Sequence, residues 1–181
     1  MISPTLVKLI DQSIIPGFIL VFSKFLGVII VAKIISASWK VATGTFFLPT
    51  FSFSNYQDYL TINSFSNLVM FLAIAAGTAF VLVRAHFFHA SHISPSIHLK
   101  LLKFGLEGLI AETYQLYHQA AVWLLFLWLA TILILLQAFF GLSNPVIAIT
   151  SFLISLNFSW FLISDIEQEV EIFRKQKRLS K

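Results

Sequence analysis

The fold is decided by AAVWLLFLWLATILILLQAFF GLSNP VIAITSFLISLNFSWFLI, residues Ala120–Ile163. Its first part, Ala120–Phe140, carries only Thr131 and Gln137 as polar residues and no charge. About 20 apolar residues cross a bilayer core as a helix. Val146–Ile163 is a second such run, speckled with Thr150, Ser151, Ser155, Asn157 and Ser159. Between them stands Gly141-Leu142-Ser143-Asn144-Pro145. Glycine ends a helix, Asn-Pro favours a turn, and proline suits the first turn of the next helix. A linker this short cannot cross a bilayer, so the two runs read as an antiparallel pair of spans.

Outward from that pair, two more apolar runs appear. Phe65–Val83 ends in Arg84, and Ile14–Ile35 is interrupted by Lys24 and Lys33. Within the former, Ala73 and Gly77, then Ala75 and Ala79, recur at helical spacing, a seam that lets helices approach closely. Composition agrees. Of 181 residues, 58% are hydrophobic and 11% charged, against about 45–50% and about 25% in soluble domains. A soluble chain of this size has too much surface for its volume to hide so much apolar matter. A cytosolic globular enzyme and a disordered chain are therefore excluded, and with 0 Cys so is a disulfide scaffold. The expected fold class is an all-α integral membrane protein, one membrane domain over 1–181. Its four transmembrane helices lie at about 14–35, 65–85, 120–140 and 146–164, with one cytoplasmic amphipathic interfacial helix besides. Ser36-Ala37-Ser38 has the small residues of a cleavage site, but Lys24 and Lys33 break the apolar core ahead of it, so the first span is expected to be retained.

The connections differ in character. Ser36–Ser64 holds Trp39, Phe46, Phe47, Phe51, Phe53, Tyr56 and Tyr59, with Gly44 and Pro49 and no helical period. Tryptophan and tyrosine favour the headgroup region, so this segment is expected to lie on the membrane as a loop, with a short helix after Ser54. After Ser94-Pro95-Ser96, Leu99, Leu102, Leu106, Leu109, Thr113 and Leu116 recur at three- and four-residue spacing, with Lys100, Lys103 and Glu107 on another face. This predicts an amphipathic helix over about 96–117, lying flat in the interface. A helix packed on a partner subunit would give the same pattern. From Asp165 onward a helical tail, 165–181, is expected to run acidic first and basic last.

Basic residues set the orientation. With the N-terminus inside, Lys8, Arg84, Lys100, Lys103, Arg174, Lys175, Lys177, Arg178 and Lys181 are cytoplasmic, and only Lys40 and the interfacial Lys33 are outside. Both termini are thus expected in the cytoplasm. The net charge of +4 sits beside apolar runs, so its partners are anionic lipid headgroups rather than nucleic acid. Lys100, Lys103, Arg174, Lys175, Lys177 and Arg178 are the candidate membrane-surface or partner contacts.

Two sets of residues are candidates for chemistry. His86, His89 and His92 form H-x2-H-x2-H at the cytoplasmic end of the second span, and His98 and His118 are the other histidines available to complete a metal site. The cluster resembles the histidines at span ends of membrane di-iron oxygenases and desaturases. Those families need several such boxes, and this chain has 5 His in all, so their function is not carried over. Lys24 lies near the centre of its span, where an ammonium costs a few kcal/mol unless paired or reaching water. Asn157 and Thr131 lie near the middle of their spans and are the intramembrane polar candidates beside it. One polar face of the last span, Thr150, Asn157 and Ser164, is placed to meet Lys24. The other, Ser151, Ser155 and Ser159, is placed to pack on a neighbouring helix. Alternatively, the first span is shifted and Lys24 snorkels outward.

No nucleotide-binding glycine motif, zinc H-E-x-x-H or G-x-S-x-G elbow is present, and no internal repeat. The expectation is a small polytopic membrane protein, a non-catalytic accessory, assembly or scaffold subunit, without cofactor and with a protein partner or a second copy of itself. The alternatives are an oligomeric transporter or channel component with a polar path through Lys24 and Asn157, and a membrane protein holding a metal ion or haem by histidine.

Overall fold

The structure, a computed structural model, describes residues 4–43, 49–88, 95–105 and 113–179. Five helices and a hairpin follow in order: α1 (Pro4–Ile34), β1 (Trp39–Thr43), β2 (Pro49–Phe53), α2 (Tyr56–Phe87), α3 (Pro95–Lys103), α4 (Thr113–Phe139) and α5 (Pro145–Leu179). Four of the helices are long and apolar enough to cross a membrane, over Leu9–Ile34, Tyr56–Phe87, Thr113–Phe139 and Pro145–Ile172. The shortest of these segments has 26 residues, which at about 1.5 Å each exceeds a hydrocarbon core of about 30 Å.

The helix ends follow from local chemistry. The Asn55 side chain accepts the Gln57 N–H at 3.0 Å and starts α2. α4 stops at Gly141, whose φ of +70° suits a residue without Cβ. There Leu142 N–H donates to the Gln137 carbonyl at 2.8 Å and Gly141 N–H to that of Ala138 at 3.0 Å, the paired closing bonds of a helix terminus. Asn144 then accepts the Val146 N–H at 2.8 Å and Pro145 opens α5, as the linker sequence predicted. α1 closes in the same way with Ser36 in place of glycine: φ is +53°, and Ala37 N–H reaches the Ala32 carbonyl at 3.0 Å.

α2 is the centre of the bundle. It packs on α1 and α4 and, over a smaller area, on α5; α4 also meets α1 and α5. Met70, Phe71 and Ile74 of α2 meet Leu127, Ala130 and Ile134 of α4 in one core cluster. Val81, Leu82 and Ala85 pack with Leu116, Ala120 and Trp123 in a second. The small-residue seam has its use here, since the Trp123 ring occupies the space a Cβ on Gly77 would fill.

Three expectations are corrected. The segment after Ser36 is not an irregular loop: it forms an antiparallel strand pair, registered from Trp39 opposite Phe53 to Thr43 opposite Pro49. Its β-branched and aromatic residues alternate with polar ones (Thr50, Phe51, Ser52, Phe53), a period of two that a search for helical period misses. The helix after Ser54 is not short, because it is the first part of α2, which starts at Tyr56, well ahead of the apolar run from Phe65. The helix expected over 96–117 is divided. α3 ends at Lys103, followed by Gly105 at φ +66°, and Thr113 and Leu116 belong to α4. Leu99 and Leu102 of α3 are exposed and Leu101 is buried; Leu106, Glu107, Leu109 and Glu112 lie outside the described residues.

Candidate functional site

Lys24 is the only charged residue between Asp11 and Lys33 in α1. One turn on, Gly27 brings α1 against α2 so closely that a Cβ there would lie 2.9 Å from Ser66 Cα. This approach puts the Lys24 ammonium among α2 side chains. It donates to Asn63 Oδ1 at 2.9 Å, Ser66 Oγ at 2.7 Å and Asn67 Oδ1 at 2.5 Å, with the Asn63 carbonyl at 3.3 Å. An ammonium has three protons, so the three side-chain oxygens satisfy it and the longer carbonyl contact is shared.

The two asparagines pass the order on. With their oxygens turned to the cation, their amide nitrogens face the other way. Asn63 Nδ2 donates to Gln137 Oε1 at 2.8 Å and to the Leu142 carbonyl at 2.6 Å. Asn67 Nδ2 donates to Gln137 Oε1 at 2.8 Å and Ser143 Oγ at 3.2 Å. Nearby, Ser64 Oγ accepts the Asn144 N–H at 2.9 Å. One connected network thus joins α1, α2, the end of α4 and the α4–α5 turn. Asn67 and Ser66 are fully buried. No residue bonded to Lys24 is acidic.

Asn157 is not in this network. It is exposed, and its amide donates to the Leu153 carbonyl of its own helix at 2.8 Å. The expected meeting of Lys24 with the Asn157 face of α5 is therefore corrected: α5 presents Thr150 and Asn157 outward, and the partners of Lys24 come from α2. The second face of α5 packs as expected. Thr131 bonds Ser155 at 2.7 Å and Trp128 Nε1 donates to Ser159 at 2.9 Å, tying α4 to α5.

The histidines are dispersed. His86 Nδ1 donates to Asp165 Oδ1 at 2.6 Å, and the Tyr117 hydroxyl donates to Asp165 Oδ2 at 2.8 Å. This second polar cluster joins α2, α4 and α5 at the end carrying the termini. His118 Nδ1 donates to Gln12 Oε1 at 2.6 Å, joining α4 to α1. His89 and His92 lie outside the described residues, and His98 is placed only as a residue of α3. Among the described residues no group of three His, Asp or Glu side chains is disposed to hold a metal ion. Lys100, Lys103 and Arg174 are exposed, and Lys175, Lys177 and Arg178 continue the α5 helix.

Sequence reasoning missed Asn63, Ser66, Asn67, Gln137 and Ser143. The signal was available for the first three: at i, i+3 and i+4 they make a polar face on one helix. Starting the span at Phe65 hid it. No protein-family model matches the chain, and no curated protein or solved structure matches it either.

Proposed function

We propose that the chain is a multi-pass integral membrane protein, with both termini cytoplasmic, that serves as a non-catalytic accessory or scaffold subunit. Lipid surrounds the four long helices. Phe18, Val21 and Phe22 of α1, Leu125 and Ile132 of α4, and Leu153 and Trp160 of α5 are exposed, an apolar surface far too broad for water. Arg84, Lys100, Lys103 and Arg174 belong to the end with the termini, and Lys33 and Lys40 to the hairpin end, which orients the bundle by the positive-inside bias. α3, with Leu99 and Leu102 exposed beside Lys100 and Lys103, suits the cytoplasmic interface.

The observation that carries the scaffold reading is where the polar groups go. Lys24, Asn63 and Asn67 direct their hydrogen bonds to other helices of the same chain, as do Thr131 with Ser155 and His86 with Asp165. Such bonds fix the mutual positions of helices, which a platform for other subunits requires. The metal and transport alternatives lack this support, since His86 and His118 bond to Asp165 and Gln12, and Asn157 is apart from Lys24.

Two measurements on one preparation test the proposal. Reporter fusions after Lys181 and within Pro95–Leu101 read cytoplasmic, and one at Tyr56 reads external; Tyr56 and Lys181 on one side refutes the topology. Protein taken from its native membrane in mild detergent runs as a complex heavier than one chain, with no stoichiometric metal or haem. A monomer carrying metal, or ion flux in proteoliposomes abolished by Lys24→Leu, refutes the scaffold role.

A further inference from the structure

The Lys24 ammonium is satisfied in hydrogen bonds and unsatisfied in charge. All its acceptors are neutral. Dipoles lower the cost of burying an ion, but a buried charge is ordinarily matched by an opposite charge. Lys24 also lines a cavity of about 320 Å³ between α1, the hairpin and α2. Phe25 and Val28 of α1 and Phe51 and Phe53 of β2 form its apolar walls, and among the described residues none that lines it is acidic. Tyr59 lines it too, and its hydroxyl makes no hydrogen bond to the described residues.

From this juxtaposition we propose that the cavity binds an amphiphilic carboxylate, its anionic head on Lys24 and its hydrocarbon body against Phe25, Phe51 and Phe53. The walls and the charge together select this class. A cavity of a few hundred Å3 suits a small ligand. Aromatic walls alone would also attract an organic cation, but the ammonium at their edge repels one. Inorganic phosphate would lose hydration against the phenyl rings without recovering it, as buried ions do when few donors face them. A carboxylate carries one charge on one end and leaves its apolar remainder for the walls. Its oxygen replaces the Asn63 carbonyl, the longest of the four contacts at 3.3 Å, as the acceptor that shares a Lys24 proton. The Tyr59 hydroxyl supplies a second donor. The hairpin gains a purpose thereby, since β2 closes one side of the cavity, and the scaffold reading is not required.

The full chain is placed in nanodiscs of neutral phosphatidylcholine and titrated with decanoate, decanol and decyltrimethylammonium. Decanoate binds saturably at one per chain, and both other probes bind at least about tenfold more weakly. Lys24→Gln brings decanoate down to the level of decanol. Because that variant also disturbs the helix network, Phe51→Glu serves as the second. It places a carboxylate in the cavity wall, away from Asn63 and Asn67, and it abolishes the preference of decanoate over decanol while Lys24 stays in place. Equal affinity for decanoate and decanol in the unaltered chain overturns the proposal. So does a decanoate preference that survives Phe51→Glu, which assigns the fatty acid to the lipid phase or to another surface.

Discussion

Replacing Gly77 by alanine puts a methyl group into space held by the Trp123 ring. Trp123 is 7% exposed and sits among Val81, Leu82, Ala85 and Leu162, so the ring has little room to yield. Two effects oppose each other. Alanine gains about 0.8–1.0 kcal/mol over glycine in a helix interior. Overpacking a well-filled core costs about 1–3 kcal/mol. The difference is about 0–2 kcal/mol, and because the added Cβ would lie well inside van der Waals contact with Trp123 Cζ3 the clash sits at the upper end, so Gly77→Ala destabilises the bundle by about 1–2 kcal/mol. Trp123→Phe frees the outer part of the ring, and alone it lowers stability by leaving a void. In that background Gly77→Ala no longer clashes, fills part of the void and keeps its propensity gain, so its effect changes sign to about 0.5–1 kcal/mol of stabilisation. The coupling across the cycle is therefore about 2 kcal/mol, well above the 0.3–0.5 kcal/mol scatter of independent sites. Reversible unfolding of the four proteins in mixed micelles, followed by circular dichroism, measures it. Additive effects within that scatter, or a stabilising Gly77→Ala in the unaltered chain, would refute the close approach of α2 to α4 at this point.

Asn67→Leu deprives a buried ammonium of an acceptor and Gln137 and Ser143 of a donor, so it lowers stability by about 2–4 kcal/mol; Lys24→Leu with Asn67→Leu is less damaging than Asn67→Leu alone in the same assay. Among the described residues Ser151 Oγ is buried with no hydrogen-bond partner, so Ser151→Ala raises unfolding stability by about 1 kcal/mol, and an unchanged midpoint counts against its burial. Ser36→Gly relieves a left-handed residue at the end of α1 and stabilises by about 0.5–1 kcal/mol, whereas Ser36→Val lowers the melting temperature. Asp165→Ala removes the acceptor shared by His86 and Tyr117 and costs about 1–3 kcal/mol, while Asp165→Asn, which keeps one acceptor oxygen, costs less.

The four long helices were legible because each carries a long apolar run, broken by charge only in the first, and lipid-sized apolar length is a one-dimensional property. The α4–α5 turn was legible because Gly141, Asn144 and Pro145 each act within their own few residues. Gly105 acts as locally as Gly141, and reading the leucine period through it is what merged α3 with the start of α4. The hairpin was concealed for a different reason. Its period of two runs over only five residues per strand, and its aromatics suit a membrane surface as well as a strand. Lys24 announced itself by its cost, but its partners did not. Asn63 and Asn67 fell at the edge of a hydropathy window, where polar residues look like a loop. Gln137 looked incidental in an apolar run. Only the close pass of α1 over α2 at Gly27 brings these residues together, and pairing across helices is not encoded at any fixed spacing.

The two charged polar clusters lie at opposite ends of the bundle, and the division bears on what each end does. At the end with the termini, Asp165 receives His86 and Tyr117, so a carboxylate has donors arranged around it. At the hairpin end, an ammonium has only dipoles around it. A bundle that needed only α1 clamped to α2 would do equally well with a carboxylate beside Lys24, and one substitution at Asn63 or Asn67 would supply it. An asparagine amide can do what a carboxylate cannot: accept from the cation with its oxygen while donating to Gln137 and the turn with its nitrogen. The same choice that threads the network through to α4 is the choice that leaves the cation without a counter-charge. Structural continuity and anion affinity at this site are thus two consequences of the same pair of amides, and Asn67→Asp removes both at once. It neutralises Lys24 and weakens decanoate binding, and it breaks the links to Gln137 and Ser143 that hold α2 to the α4–α5 turn.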